Sequence, residues 1–305
     1  MIEEEVPAAL DGERLDRVVA LVAECSRSAA AAMLAAGGVS VDGAAAEVGK
    51  VRLRVGQVVR VDPEVLPAEE GPSAEAGVEF AVVHVDDDIV VVDKPAGLVV
   101  HPGSGHASGT LVNGLLSRFP DLVGVGERHR PGIVHRLDVG TSGLLVVART
   151  ELAYRRLSTA LAERTVGRRY TALVWGTPEN PQGVVDAPIG RDVRDPTRMA
   201  VVVGGRPSRT RYVVLKTYSH PAVAALLECA LETGRTHQIR VHLAAIGHPV
   251  VGDATYGGVR TAVVCPRPFL HAASLTLDHP RTGTSMTFTS PLPADLVAVE
   301  GRFSD

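Results

Sequence analysis

The sequence predicts an α+β protein in which a linker joins a small N-terminal domain to a larger strand-rich one. Short runs of alternating apolar and polar residues dominate beyond Phe80, and the few amphipathic helical stripes are not interleaved with them at the regular spacing of a doubly wound parallel sheet. A stretch rich in Pro, Glu, Gly and Ser over residues 63–77 has no apolar periodicity and reads as the connection. The expected organisation is a small domain at 1–62, a linker at 63–79 and a large domain at 80–305.

Taken in order, Leu15, Val18, Val19 and Val22 fall at i, i+3, i+4 and i+7, one face of a short helix over residues 14–23. Ser26 is placed to cap a second helix reaching Ala36, and Gly37 with Gly38 stops it. VSVDG and VGKVRLRVGQVVRVD alternate around Gly and Asp turns, predicting short strands. FAVVHV, IVVVD, LVVHPG, GLLVVA and RRYTALVWG read as strands of the large domain, and helices are expected at 111–118 and, behind Thr150 as a cap, at 151–164. AVAALLECALE at 222–232 is helical by propensity, yet a better helical stripe (Ile239, Leu243, Ile246, closed by Gly247) follows at once. Two helices cannot abut without a turn, so a strand is the alternative there.

At 305 residues, with 45% hydrophobic and 22% charged residues, the chain suits one large core plus an accessory domain. The acidic start lacks the basic and apolar regions of a secretory signal, and no apolar run approaches the roughly 18–20 residues that span a bilayer. A cytoplasmic protein without a membrane partner is therefore expected. Cys25, Cys229 and Cys265 are odd in number and far apart, which signals neither a disulfide framework nor a thiolate metal site. None of the histidines falls in a metal-ligand spacing, and no phosphate-cradling Gly-rich loop opens a helix, so neither a metal nor a nucleotide cofactor is expected.

The net charge of −4 is unevenly spread. Residues 1–79 carry seven basic and fifteen acidic side chains, whereas residues 128–170 carry nine arginines and three acids. A basic stripe in mid-chain is where a phosphate backbone could be tracked, although arginines on a solvated helix face would read the same way.

The chemistry concentrates in HPGSGH (101–106), RPGIVHRLDVGTSGLLVVA (130–148), RRYTALVWG (168–176) and LETGRTHQIRVHLAAIGHPVVGDATYG (231–257). Asp138 precedes a Gly-Thr-Ser-Gly turn that leads into an apolar strand, which puts a carboxylate at the mouth of a sheet, in position to act as nucleophile or base. Alone, an Asp at such a place is more often a turn former bonding its own backbone.

HRLDVGTSGLLVVA, RRYTALV and LETGRTHQIRVHLAAIGHPVVGD, in that order, resemble the signature stretches of the RluA-type family of RNA pseudouridine synthases, including its large-subunit rRNA branch. The resemblance runs from about residue 80 to about residue 291. It implies a catalytic domain built on a mixed, largely antiparallel sheet with flanking helices. It also implies that Asp138 is the essential aspartate, attacking the uridine at C1' or the base, or else removing a ribose proton to form a glycal. By the same correspondence Arg240 pairs with that aspartate, Tyr170 lies against the target base, and Arg136 fills the gap left by the flipped nucleotide. His135, Arg235, His237 and Thr141, which sit in the same motifs, are expected to contact substrate. RNA is the implied partner of a monomer, and because the isomerisation exchanges one glycosidic bond for another, no cofactor is chemically required. The N-terminal region resembles an S4-type RNA-binding domain, although its second helix is nearly all alanine after Arg27 where such helices present basic residues.

Two other functions fit fewer of these features. A catalytically idle RNA-binding protein acting as an rRNA chaperone has no physical reason to keep Asp138, Tyr170 and Arg240 together. A nucleoside or glycoside hydrolase would need a second carboxylate beside Asp138, and Asp253 is the candidate.

Overall fold

A computed structural model of the chain describes every residue except Ser26, residues 66–70 and Ser104, and describes Ser28 by its backbone only. The expected cap at Ser26, part of the expected linker and one residue of HPGSGH therefore lie outside the described residues. The chain divides into two compact units, Met1–Glu70 and Gly71–Asp305.

In the first unit, β1 (Ile2–Glu5), α1 (Leu15–Val22), α2 (Arg27–Ala35), β2 (Val39–Val41), β3 (Ala44–Ala45) and β4 (Val58–Val61) follow in order. The strands form an antiparallel sheet in the order β1-β4-β2-β3. The predicted stripe of α1 buries Leu15, Val18 and Val19 with Met33, Leu34, Leu53, Val59 and Val61, while Val22 packs at the rim. One strand expectation needs correcting: within VGKVRLRVGQVVRVD only Val58–Val61 joins a ladder. The alternation at 51–55 serves instead to bury Leu53, whose N–H donates to Glu13 O (2.9 Å) and whose carbonyl accepts from Gly12 N–H (2.8 Å).

The second unit opens with β5 (Ala81–Val85), β6 (Ile89–Lys94), α3 (Leu111–Arg118), β7 (Ser142–Ala148), α4 (Glu151–Ala162) and β8 (Gly167–Trp175). It continues with β9 (Gln182–Asp186), β10 (Ile189–Arg191), β11 (Met199–Val201), β12 (Arg209–Tyr218), β13 (Ala224–Leu231), α5 (Gln238–Ala245), β14 (Leu270–Asp278), β15 (Ser285–Thr289) and α6 (Ala294–Glu300). β10 and β11 form a separate hairpin-like pair. The others make one nine-stranded sheet in the order β5-β6-β7-β14-β8-β13-β12-β9, with β15 on β14. Among the described residues every pairing in it is antiparallel except β7 with β14, so the sheet is mixed and largely antiparallel, as an α+β fold requires.

β14 is the central seam. It pairs with β8 along one edge and, along the other, with β7 at His271 and Ala272 and then with β15 from Ser274 onward. Gly143 makes the short parallel contact possible, because its φ is +112° and a Cβ there would lie 2.3 Å from the Ala272 carbonyl oxygen.

The segment left between helix and strand is β13, held between β8 and β12 with Ala224, Ala225, Leu227 and Cys229 buried. Tertiary pairing on both edges overrides the helical propensity of its alanines. LVVHPG is not a strand. The carbonyls of Val99 and Val100 accept the first N–H groups of α3, from Leu111 (2.8 Å) and Val112 (3.0 Å), so this extended piece caps a helix instead of joining a sheet. Residues 71–79, expected in the linker, are bound to the second unit: Asn113 Nδ2 donates to Ser73 O (2.7 Å), Glu75 N–H donates to Asn113 O (2.9 Å), and Val78 packs on the core.

Candidate active site

Asp138 sits in the irregular stretch just before β7, where three successive carbonyls are each held. Thr141 N–H donates to Asp138 O (3.0 Å), Gly97 N–H to Val139 O (2.7 Å) and Arg267 Nη1 to Gly140 O (3.2 Å). The turn expected from Gly-Thr-Ser-Gly is thereby fixed from two neighbouring elements, and the carboxylate at its head keeps 16% of its surface open.

Arg240 comes to Asp138 from α5. Its Nη1 donates to Asp138 Oδ2 at 3.2 Å, while Nε and Nη2 grip Asp253 Oδ2 and Oδ1 at 2.6 and 2.9 Å. The Asp253 carboxylate is fully buried, and its Oδ1 also accepts from the N–H groups of Thr255 (3.0 Å) and Tyr256 (3.2 Å). Burial opposes the charge on Arg240, but Asp253 and then Asp138 more than compensate and raise its pKa above the usual arginine value. The guanidinium also lies 5.0 Å from the centre of the Tyr256 ring, whose hydroxyl meets His237 Nδ1 at 2.8 Å. Asp253 thus orients the arginine and has no free edge to serve as a second acid, which argues against the hydrolase alternative. His237 is the N-cap of α5, with a left-handed φ of 56°, and its ring meets Tyr256.

Asp138, Arg240 and His237 line a cavity of about 610 Å³. All eight residues singled out in the sequence, Asp138, Tyr170, Arg240, Arg136, His135, Arg235, His237 and Thr141, are in its wall. Tyr170 projects from β8 with 5% of its surface exposed, and burial pushes its hydroxyl up to about 12, so the phenol stays protonated. His135 accepts Val146 N–H at Nε2 (3.2 Å), which puts the ring proton on Nδ1, an atom with no partner among the described residues. Burial, then the nearby Arg168, push this imidazole down to about 3, so it is neutral. Thr141 Oγ1 is likewise buried and unpartnered. Arg136 is exposed at the rim, 3.5 Å from His101 Nε2, and Arg235 is half-buried with Nε 3.4 Å from Pro207 O.

Sequence reasoning missed several supporting residues. Gln238 ties the GRTHQIR segment together, its Oε1 accepting from Thr233 Oγ1 (2.7 Å) and Arg235 N–H (3.0 Å), its Nε2 donating to Arg209 O and Thr210 Oγ1 (3.0 Å each). His242, which reads from the sequence as a helix histidine for structural hydrogen bonding or phosphate contact, takes the first of these roles, bonding Thr210 Oγ1 (2.9 Å) and Ala187 O (3.0 Å) away from the cavity wall. Lys94 is wholly buried and donates to Pro95 O and Leu98 O, both at 2.9 Å; burial pushes it down to about 7, and the field of Asp138 works against that shift. Lys94 directly follows the apolar run IVVVD, and a buried cation at the end of an apolar strand is unexpected from pattern alone. Among the described residues no cluster of His, Cys, Asp and Glu could hold a metal ion.

The comparisons with known proteins agree with one another. A family model described as RNA pseudouridylate synthase matches residues 88–245. The chain is 47% identical, over 98% of its length and 86% of the relative's, to the ribosomal large subunit pseudouridine synthase D of Nitrosomonas europaea. It is 44% identical, over 96% and 92%, to the protein of the same name from Pseudomonas aeruginosa. Among solved structures, human RNA pseudouridylate synthase domain containing 1 matches 74% of this chain and 89% of its own, with a TM-score of 0.58 and 29% identity.

Proposed function

Since the chain belongs to the RluA-type RNA pseudouridine synthases, we propose that it isomerises uridine to pseudouridine in large-subunit ribosomal RNA with Asp138 as the reacting carboxylate. The observation that carries the role of Asp138 is its partnership. It is an accessible carboxylate at the wall of a nucleotide-sized cavity, bonded to an arginine that a second, buried carboxylate holds in place. In the reaction the N1–C1' bond breaks and its electron pair leaves with the uracil. The base turns and C5 bonds to C1', which releases Asp138 from the bond it formed or, on the glycal route, returns the ribose proton; the C5 proton departs and N1 gains one. Asp138 drives the first step by attacking C1' or the base, or by taking a ribose proton on the glycal route.

The neighbours support divided roles. Tyr170 offers a flat face for the uracil and a hydroxyl that burial keeps neutral. Arg136 stands exposed at the rim, where a planar cation can occupy the gap left by the extruded nucleotide and so offset part of the few kcal/mol that unstacking costs. His135, Thr141, Arg235 and His237 complete the wall that contacts the nucleotide. The Met1–Glu70 unit is read as an S4-like RNA-binding module, a reading supported by its helix pair packed on a small sheet. Its basic helix ends are modest contributors, since Arg14 and Arg27 both bond Asp16 (2.6 and 3.2 Å), and Arg14 foremost holds that carboxyl down at about 2. The protein acts as a cytoplasmic monomer that needs no cofactor.

Tritium release from rRNA labelled at uracil C5 tests the assignment. Asp138→Asn, nearly isosteric, is expected to lower the release rate by about 10²–10⁴-fold while the variant stays folded. A rate equal to wild type would remove Asp138 from the mechanism, and no release by the wild-type protein would favour an idle RNA-binding role.

A further inference from the structure

Arg168 belongs to the cavity wall but to none of the roles assigned above. It lies two residues before Tyr170 on β8 and faces the same side of the sheet, about 7 Å along the strand. Only 7% of its surface is exposed, Nε is buried without a partner, and among the described residues no carboxylate or acceptor binds the guanidinium. Neighbouring arginines show the contrast. Arg169, on the opposite face, pairs with Glu228, and Arg164, Arg209 and Arg211 each reach Glu232.

A buried cation without a counter-ion costs several kcal/mol, so a fold retains one where a ligand supplies the missing charge. Burial accordingly lowers the pKa of Arg168 from the ordinary arginine value. The surroundings keep the group aimed into the cavity. A Cβ on Gly234 would lie 2.8 Å from Arg168 Nη1, so glycine at that position lets the GRTHQIR segment close over the guanidinium. His135 Nδ1–H, a second donor with no acceptor among the described residues, belongs to the same wall. Donors without acceptors, one of them cationic, call for an oxyanion.

We infer that Arg168 is a binding site for an oxyanion of the nucleotide held in the cavity. The inference rests on the synthase reading, which puts an RNA nucleotide there. Two oxygens on such a nucleotide carry the required charge. One is the phosphodiester beside the target uridine. The other is a carbonyl oxygen of the detached uracil, which holds the electron pair of the broken N1–C1' bond as a delocalised anion. His135 adds a neutral hydrogen bond to the same oxygen or to its neighbour.

The test uses the full chain with an in vitro transcript of large-subunit rRNA. Arg168→Met keeps the length and removes the charge, so the free protein is expected to melt about 2–4 °C higher than wild type, the reverse of what loss of a structural contact produces. If the oxygen is a phosphate's, Kd rises about tenfold, the slope of log Kd against log salt becomes shallower by about 0.7–0.9, and one phosphate drops out of the ethylation-interference pattern. If it is the uracil anion's, Kd and slope stay unchanged while kcat for tritium release falls at least tenfold. Arg168→Met with wild-type Kd, slope and kcat overturns the proposal. Should that variant fail to fold, Arg168→Lys, which keeps a charge but loses the fork, must weaken Kd or kcat, and wild-type values for both overturn it equally. A wild-type protein that releases no tritium from this transcript is a separate result, because it removes the synthase reading and the ligand with it.

Discussion

A single arginine held by two carboxylates of unequal burial shows how this site works at the scale of residues. Asp253 takes both Nε and Nη2 of Arg240 and is shut away from solvent, whereas Asp138 receives one Nη1 bond and keeps an open edge. Asp253→Asn leaves a buried guanidinium with half its partner, and we expect a loss of about 3–5 kcal/mol in stability, read by urea unfolding, together with a fall in kcat larger than any change in KM. His135 gives a pH signature. Its folded-state value of about 3 lies below the 6.5 of an ordinary imidazole, so between pH 3 and 6.5 the unfolded chain binds a proton that the folded one does not. Its contribution to stability is therefore complete above pH 6.5 and is lost as the pH falls toward 3. His135→Gln keeps an acceptor for Val146 N–H and should flatten that part of the profile; an unchanged slope in urea midpoints between pH 4 and 6.5 would assign the acid sensitivity elsewhere.

At the scale of elements, the legible parts were those whose periodicity faces one core. α1, α3 and α4 and the apolar strands β6 and β7 lie within two residues of where alternation and caps put them, because a side chain's environment there follows from its own position in the repeat. The misreadings, and the segment left open between helix and strand, share a different cause. Residues 98–103 and 51–55 look strand-like but spend their backbone groups on a helix start and on a neighbouring loop, and 224–231 is a strand because two other strands flank it. Partners distant in sequence decide such cases, and local pattern cannot name them. The site was legible for the same reason that it is compact in sequence: Arg136 and Asp138 share one loop, Arg235, His237 and Arg240 one helix start. Arg168 was legible only as one arginine of the basic stripe, and Lys94 and Gln238 were not singled out, since what marks all three is burial without the partner, or with the partners, that only folding reveals.

At the scale of the whole molecule, every residue lining the cavity lies in Gly71–Asp305, which carries its own hydrophobic core. Removing residues 1–70 takes away seven basic and thirteen acidic side chains, leaving the remainder with a net positive charge. A chain beginning at Gly71 is expected to melt cooperatively and to release tritium with kcat retained, any loss appearing in Kd. Loss of kcat in a folded truncation would show that the first unit takes part in catalysis. Within the larger unit, the side-by-side approach of β7 and β14 at Gly143 has a mechanical consequence. Since Asp138 leads into one flank of β14 and Tyr170 projects from the other, that strand acts as the common axle of both groups, and any side chain forced in at Gly143 would wedge the two halves of the proposed catalytic machinery apart while the hydrophobic layers still hold. The third letter of Thr-Ser-Gly is thus a spacer that sets the gap between the two proposed reacting groups, and an enlarged residue there should leave a folded protein in which they no longer meet.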